Sequence, residues 1–276
     1  MGSVQQLFRQ PTQTLSITSG KGGVGKSTIV ANLALSLAQR GEQVLLLDGD
    51  LGMANLDILF QVRPRYTLED VLNGQKALSD ILVKVAPNIS LIPGGSGIYG
   101  LTQIPLIQKH LLLDQVSQLD GKYHWMLIDT APGIDDDVLY FNSAAQEILV
   151  VLTPDPSSLA DAYALIKVLN ARYRESRFSI ICNMVRNESE ALMIFRRLSD
   201  VVSRFLVVSL DYKGFIPIDG NLRSATKLQQ LVVETHPRSP SSLAFSQLSD
   251  SLRGAYCPEH IKGGIQFFWQ QIIGAV

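Results

Sequence analysis

Cysteine is almost missing from this 276-residue chain. Cys182 and Cys257 are its only thiols, and no C-x-x-C pair occurs. That leaves no iron–sulfur or zinc-knuckle pattern, and reduced thiols in a cytoplasmic protein are the expectation. Charge of one sign is missing too. Lys and Arg number 24 against 25 Asp and Glu, a net charge of −1, so no global field draws the chain to nucleic acid or anionic lipid. No apolar run approaches the ~18–20 residues of a transmembrane helix. The opening MGSVQQLFRQPTQT has no apolar core of a signal peptide, and Gln6 stands where N-myristoylation calls for Ser or Thr. What remains is 46% hydrophobic and 18% charged, the balance of a globular chain with a sizeable core.

The chain is organised around residues 15–28, LSITSGKGGVGKST. An apolar β-type stretch enters a glycine-rich turn, and IVANLALSLAQR continues as a helix. Gly20 to Ser27 satisfies the P-loop pattern G-x-x-x-x-G-K-[ST]. The expected phosphate cradle is Gly22, Gly23, Val24, Gly25, Lys26, Ser27 and Thr28. Its glycines let backbone N–H groups converge, and the helix aims its positive end at the same phosphates. Lys26 is assigned to the β- and γ-phosphates and the Ser27 hydroxyl to Mg²⁺, so ATP and Mg²⁺ are the expected cofactors.

Further along, VLLLD and ISLIP read as strands, while TLEDVLNG and ALSDILVKV read as helical segments. IPLIQKHLLLDQVSQL has helical period, and KYHWMLIDTAPG supplies a strand ending in Asp129, which fits a Walker B carboxylate near the metal. EILVVLTPD and FSIICNMV add strands, separated by the helix SLADAYALIKVLNARY. ESEALMIFRRLSDVVSRF is another helix, and LVVSLDYKGFIPID is expected to hold two short strands. This alternation predicts an α/β fold with a mainly parallel central sheet and helices on both faces. Asp48 and Asp50 end the strand VLLLD, where such sheets bind ligands.

The K-G-G-V-G-K-S-T loop, with its second lysine Lys21, resembles the deviant Walker A motif of the MinD/ParA ATPases. The resemblance implies a SIMIBI-type P-loop NTPase. It implies that Lys21 reaches a partner subunit's nucleotide, so Lys21, Lys26 and Asp50 are the candidate catalytic residues. DLGMANLDILF is similar to the family's switch I, with Asp50 orienting the attacking water and Asp48 near the metal. Ser27, Asp48 and Asp129 form the implied metal set. DTAPG resembles switch II, whose Gly133 senses the γ-phosphate. Asn183 matches the residue that binds the adenine edge, and Pro217 and Asp219 match a segment beside base and ribose. The run Asp135-Asp136-Asp137 departs from the family pattern and reads as an acidic helix start.

At the far end, IKGGIQFFWQQIIGAV places Ile265, Phe268, Trp269, Ile272 and Val276 on one helical face, after a Gly263-Gly264 hinge. Two readings stay open: a terminal helix packed on the core, or a reversible anchor lying in the lipid interface through Ile265, Phe268, Trp269 and Ile272. The expected division is a flexible segment 1–13, an ATPase domain 14–260 and an amphipathic helix 261–276.

DLGMANLDILF, TLEDVLNG, SLADAYALIK and HPRSPSSLAF are most similar to the flagellar-number (FlhG/FleN) branch. That resemblance implies an ATP-state homodimer at the inner face of the bacterial cytoplasmic membrane. Its implied partners are an SRP-type GTPase (FlhF) and a FleQ-type transcription regulator. Only QQLFR stands for the branch's GTPase-activating N-terminal helix. MinD-type division-site selection and ParA-type partition are the alternatives. Residues 231–276 carry three Lys/Arg against three Asp/Glu, so direct nucleic-acid binding is not expected.

Overall fold

The computed structural model describes residues 11–50, 55–94, 105–254, 262 and 264–274. Expectations for residues 1–10, residues 51–54 of switch I, Cys257, Gly263 and Val276 lie outside these. In chain order the elements are β1 (Gln13–Thr18), α1 (Lys26–Ala38), β2 (Val44–Gly49), α2 (Leu56–Leu59), α3 (Leu68–Leu72), α4 (Leu78–Ile81), β3 (Val83–Ala86) and β4 (Ile89–Ile92). There follow α5 (Leu106–Ser117), β5 (Trp125–Thr130), α6 (Asp136–Ala144), β6 (Glu147–Leu152), α7 (Pro156–Tyr173), β7 (Arg177–Val185) and α8 (Glu188–Phe205). The chain closes with β8 (Ser209–Pro217), α9 (Gly220–Lys227), α10 (Val232–Thr235), α11 (Pro240–Gly254) and α12 (Ile265–Ile272).

One sheet runs β3-β4-β2-β5-β1-β6-β7-β8, parallel except for β3, which pairs antiparallel with β4. The P-loop strand β1 is central, between β5 and β6. Side chains alternate across the sheet as strand geometry requires. Leu15, Ile17, Val44, Leu46 and Leu127 pack with α1, α10 and α11 on one face. Leu45, Leu47, Met126 and Ile128 pack with α3 to α6 and α12 on the other. Helix α1 is buried along almost its whole length, because the sheet covers one side and α10 and α11 the other.

Two element assignments change. VKVA, expected to prolong a helix, is an edge strand: Leu82 already has extended backbone (ψ 120°), and the β-branched Val83 and Val85 continue it beside β4. The two short strands expected at 206–217 are one strand, with a register irregularity at Lys213 that keeps both halves paired to β7. The loose N-terminal segment ends earlier than residue 13: Thr12 is buried and its hydroxyl donates to the Tyr123 carbonyl at 2.8 Å.

The terminal helix α12 packs on the core. Ile265, Phe268 and Trp269 are fully buried and Ile272 nearly so, seated against α5 and α6. Phe268 stacks on Phe141 of α6, centroids 6.2 Å apart. Burying such aromatics stabilises the docked helix by about 1.5–3 kcal/mol each. Of the two readings of the tail, this arrangement is the packed one.

Candidate nucleotide site

The site forms where β1, β2 and β5 end. Sheet register places Asp129 beside both Ile17 and Asp48, so two carboxylates meet next to the loop that leaves β1. The loop itself needs glycine. Gly23 (φ 77°) and Gly25 (φ 91°) are left-handed. Gly20 is required by packing instead: a Cβ there would stand 2.2 Å from the Asp161 carbonyl of α7.

Lys26 opens α1 and is buried, its ammonium donating to the Ser19 hydroxyl at 3.1 Å. Burial lowers its pKa, opposed by Asp129 and Asp50. Asp129 is fully buried, and among the described residues neither carboxylate oxygen has a partner within hydrogen-bond geometry. Burial pushes it to about 7, although the nearby Ser27 hydroxyl and Lys26 favour the charged form. An orphan carboxylate costs too much to leave unpaired. With the Ser27 hydroxyl at its side, its hard oxygens fit a hydrated Mg²⁺. The donor set therefore suits the implied metal.

Asp48 is deployed differently. Its Oδ1 accepts from the Asp50 amide (3.2 Å), and its Oδ2 from Asn55 (3.1 Å) and Leu56 (3.2 Å). It thereby bridges the two ends of switch I and fixes where Asp50 begins the loop. Burial raises it to about 6 against those three bonds.

Other expected nucleotide contacts already carry protein bonds. The Gly133 N–H donates to the Ser19 carbonyl (2.9 Å), so it must let go to meet a γ-phosphate. Asn183 donates through Nδ2 to the Val24 carbonyl (2.7 Å) and accepts from the Met184 amide (2.9 Å), bracing the P-loop from β7. Asp219 caps α9 through Asn221 (2.8 Å) and accepts from the Ser241 hydroxyl (2.6 Å) of α11. Burial alone would raise it, but these bonds hold it below its ordinary value. Asn183, Pro217 and Asp219 nonetheless line one cavity of about 590 Å³ with Gly25 and Thr28. Its remaining walls include Met184, Ile218, Leu222 and Arg223, an apolar slot open beside the P-loop.

Lys21 points elsewhere. Its ammonium pairs with Asp155 and donates to the Ser157 hydroxyl (2.6 Å) at the start of α7. The same Asp155 caps α7 by accepting from the Ser157 amide (3.0 Å). Lys21 and the Ser157 bonds pull Asp155 down to about 2.

A family model described as ParA, NUBPL iron-transfer P-loop NTPase, matches residues 10–253. The chain belongs to the ParA/MinD family of P-loop NTPases. Within it, the chain is 39% identical to the antiactivator FleN of Pseudomonas aeruginosa over 263 residues, 95% of this chain and 94% of that one. It is 35% identical to the flagellum site-determining protein YlxH of Helicobacter pylori, over 88% of this chain and 81% of that one. The fold matches MinD in the Aquifex aeolicus MinC:MinD complex, with a TM-score of 0.70, 27% identity, and 91% and 100% of the two chains covered. It also matches Mg-ADP-bound MinD of Pyrococcus horikoshii at 0.68 and 28%, over 87% and 96%.

Sequence reasoning missed several residues that shape this loop. Ser19, which links Lys26, Gly133 and the loop, looked like ordinary strand-end serine. Asp155 and Ser157 were legible only as a helix cap, D-P-S-S before an apolar run. Met184 follows Asn183 with φ 57°, and no motif marks it.

Proposed function

We propose that the chain is a Mg²⁺-dependent ATPase switch that dimerises in its ATP state and sets flagellar number or placement. The observation that carries this is the division of labour between two lysines in one loop. Lys26 faces the Asp129 edge from inside, whereas Lys21 lies at the surface, held by α7 and available to a second copy. The similarity to FleN and YlxH over most of their lengths supports the flagellar role.

In this reading the loop amides and Lys26 hold the phosphates, and Ser27 and Asp129 hold Mg²⁺, which when bound neutralises phosphate charge. Asp50 accepts a hydrogen bond from water and aligns it with the γ-phosphate. Lys21 leaves Asp155 to offset phosphate charge on the partner copy. Hydrolysis is slow, because the nucleotide state is the signal. The closed dimer presents a surface for an FlhF-type GTPase or FleQ-type regulator, and α12 moves to the inner membrane face.

Division-site selection of the MinD type uses the same switch. Iron transfer is disfavoured, since Cys182 is fully buried and its thiol pushed up to about 12, unsuited to ligating a cluster. The test is complementation of a Pseudomonas aeruginosa strain lacking FleN, scored by flagella per cell. Restored counts, lost again with Lys21→Ala, support the proposal. Unrestored counts from a folded, ATP-hydrolysing chain argue for the division-site alternative.

A further inference from the structure

The buried face of α12 contains a contradiction. The indole N–H of Trp269 is fully buried and has no acceptor among the described residues. An unmade hydrogen bond of this kind weakens the docked state and is relieved wherever the ring reaches water or a lipid interface. Against it works a polar contact at the root of the helix. The Lys262 ammonium donates to the carbonyls of Ser143 (2.8 Å) and Ala145 (3.0 Å), where α6 ends, and to Glu175 Oε1 (2.6 Å). The Gln146 amide returns a bond to the Lys262 carbonyl (3.1 Å). A cation on the open carbonyls of a helix C-terminus, itself paired to a carboxylate, is a strong anchor.

Helix α6 joins this anchor to the nucleotide edge. It begins just after Gly133 and ends in the Lys262 contacts. Between those ends it is tied to β1 by hydrogen bonds: Ser16 donates to Asn142 (2.8 Å), and Asn142 donates to the Thr18 hydroxyl (3.1 Å). Midway, the Phe141 ring lies against Gly49, where a Cβ would stand 3.2 Å from Cε2, and stacks on Phe268 on its other side. Gly49 separates Asp48 from Asp50. A displacement of either switch would therefore press on α6, which packs directly against α12.

We propose that Lys262, Glu175 and the last carbonyls of α6 form a clasp that holds α12 docked, and that movement of α6 opens it. The destination of α12 rests on the membrane reading given above; the clasp does not. The test is hydrogen–deuterium exchange of the full-length chain without nucleotide, followed by flotation with phosphatidylcholine–phosphatidylglycerol vesicles. Glu175→Gln leaves the tail sequence untouched. It is expected to speed exchange of residues 265–272 by about tenfold, the scale of one charge-assisted hydrogen bond, with α5 amides unchanged. Trp269→Phe removes the unpaired N–H and is expected to slow the same exchange. Unchanged exchange in both variants overturns the clasp. Faster exchange in Glu175→Gln without vesicle binding upholds the clasp and overturns the membrane destination.

Discussion

The nucleotide edge and the terminal helix each bury a polar group that no described residue satisfies, Asp129 at one and Trp269 at the other. The resemblance ends there. Asp129 is a carboxylate among Ser27, Lys26 and Asp48, so its missing partner is a ligand that enters. Trp269 packs in an apolar cluster with Phe268, Ile265 and Ile272, so moving the side chain out of that cluster would relieve it. An unsatisfied charge marks a binding site, while an unsatisfied indole marks a surface that moves. The largest effect that tests this contrast is Lys26→Ala. It removes the cation inside the loop, and nucleotide affinity measured by calorimetry should fall by at least about 100-fold. Retained affinity would place the phosphates elsewhere.

Packing supplies the next effect. Gly20→Ala drives a Cβ to within 2.2 Å of the Asp161 carbonyl, which belongs to rigid helix backbone. A destabilisation of about 1–3 kcal/mol is expected in urea melts. Gly23→Ala has open space but strained φ, and should cost less, about 1 kcal/mol. Equal costs would mean that α7 yields.

The pH response bears first on the nucleotide edge, where two buried carboxylates titrate; at the clasp, burial also raises Glu175, with Lys262 opposing. Asp48 (about 6) and Asp129 (about 7) are both raised above the ordinary carboxylate value by burial. Between about pH 4 and 7 the ligand-free native chain thus holds protons that the unfolded chain has released. Stability from these groups falls as pH rises through that window. Mg²⁺ needs the carboxylate ionised, so Mg²⁺–nucleotide affinity should fall by up to about tenfold per pH unit below 7. Asp129→Asn should abolish that dependence and raise the midpoint of ligand-free unfolding. A pH-independent affinity in the unsubstituted chain would remove Asp129 from the metal site.

The same contrast explains what the sequence could reveal. The P-loop was legible because its chemistry is local: glycines, Lys26 and Ser27 are consecutive, and the strand–loop–helix order confirms them. The sheet was legible because β2, β5 and β6 are largely continuous apolar runs, and β1 leads straight into the P-loop. VKVA escaped because four residues beside a helical turn carry no period. Asp48, Asn183 and Asp219 were named from the sequence as site candidates, but the bonds of Asn183 to Val24 and of Asp219 to Ser241 join segments far apart in the chain. Helix α12 had an amphipathic face visible from spacing alone. What covers that face depends on α5 and α6, and one chain's periodicity does not name the surface it meets.

The smallest expected effect comes from loosening the ion pair that holds Lys21. Its pair with Asp155 is exposed, and such pairs contribute little, because water competes for both charges. Asp155→Asn keeps the cap on α7, since Asn accepts the Ser157 amide as well as Asp does, but releases the ammonium. If Lys21 serves a second copy, freeing it should lower the protein concentration at which ATP drives dimerisation by a few-fold, read by light scattering. Lys21→Ala should abolish ATP-driven dimerisation while leaving monomeric nucleotide binding partly intact. A rise in the dimerisation threshold with Asp155→Asn would instead make Asp155 part of the dimer contact. The ion pair would then be a hinge between two uses of Lys21 and not merely its resting place.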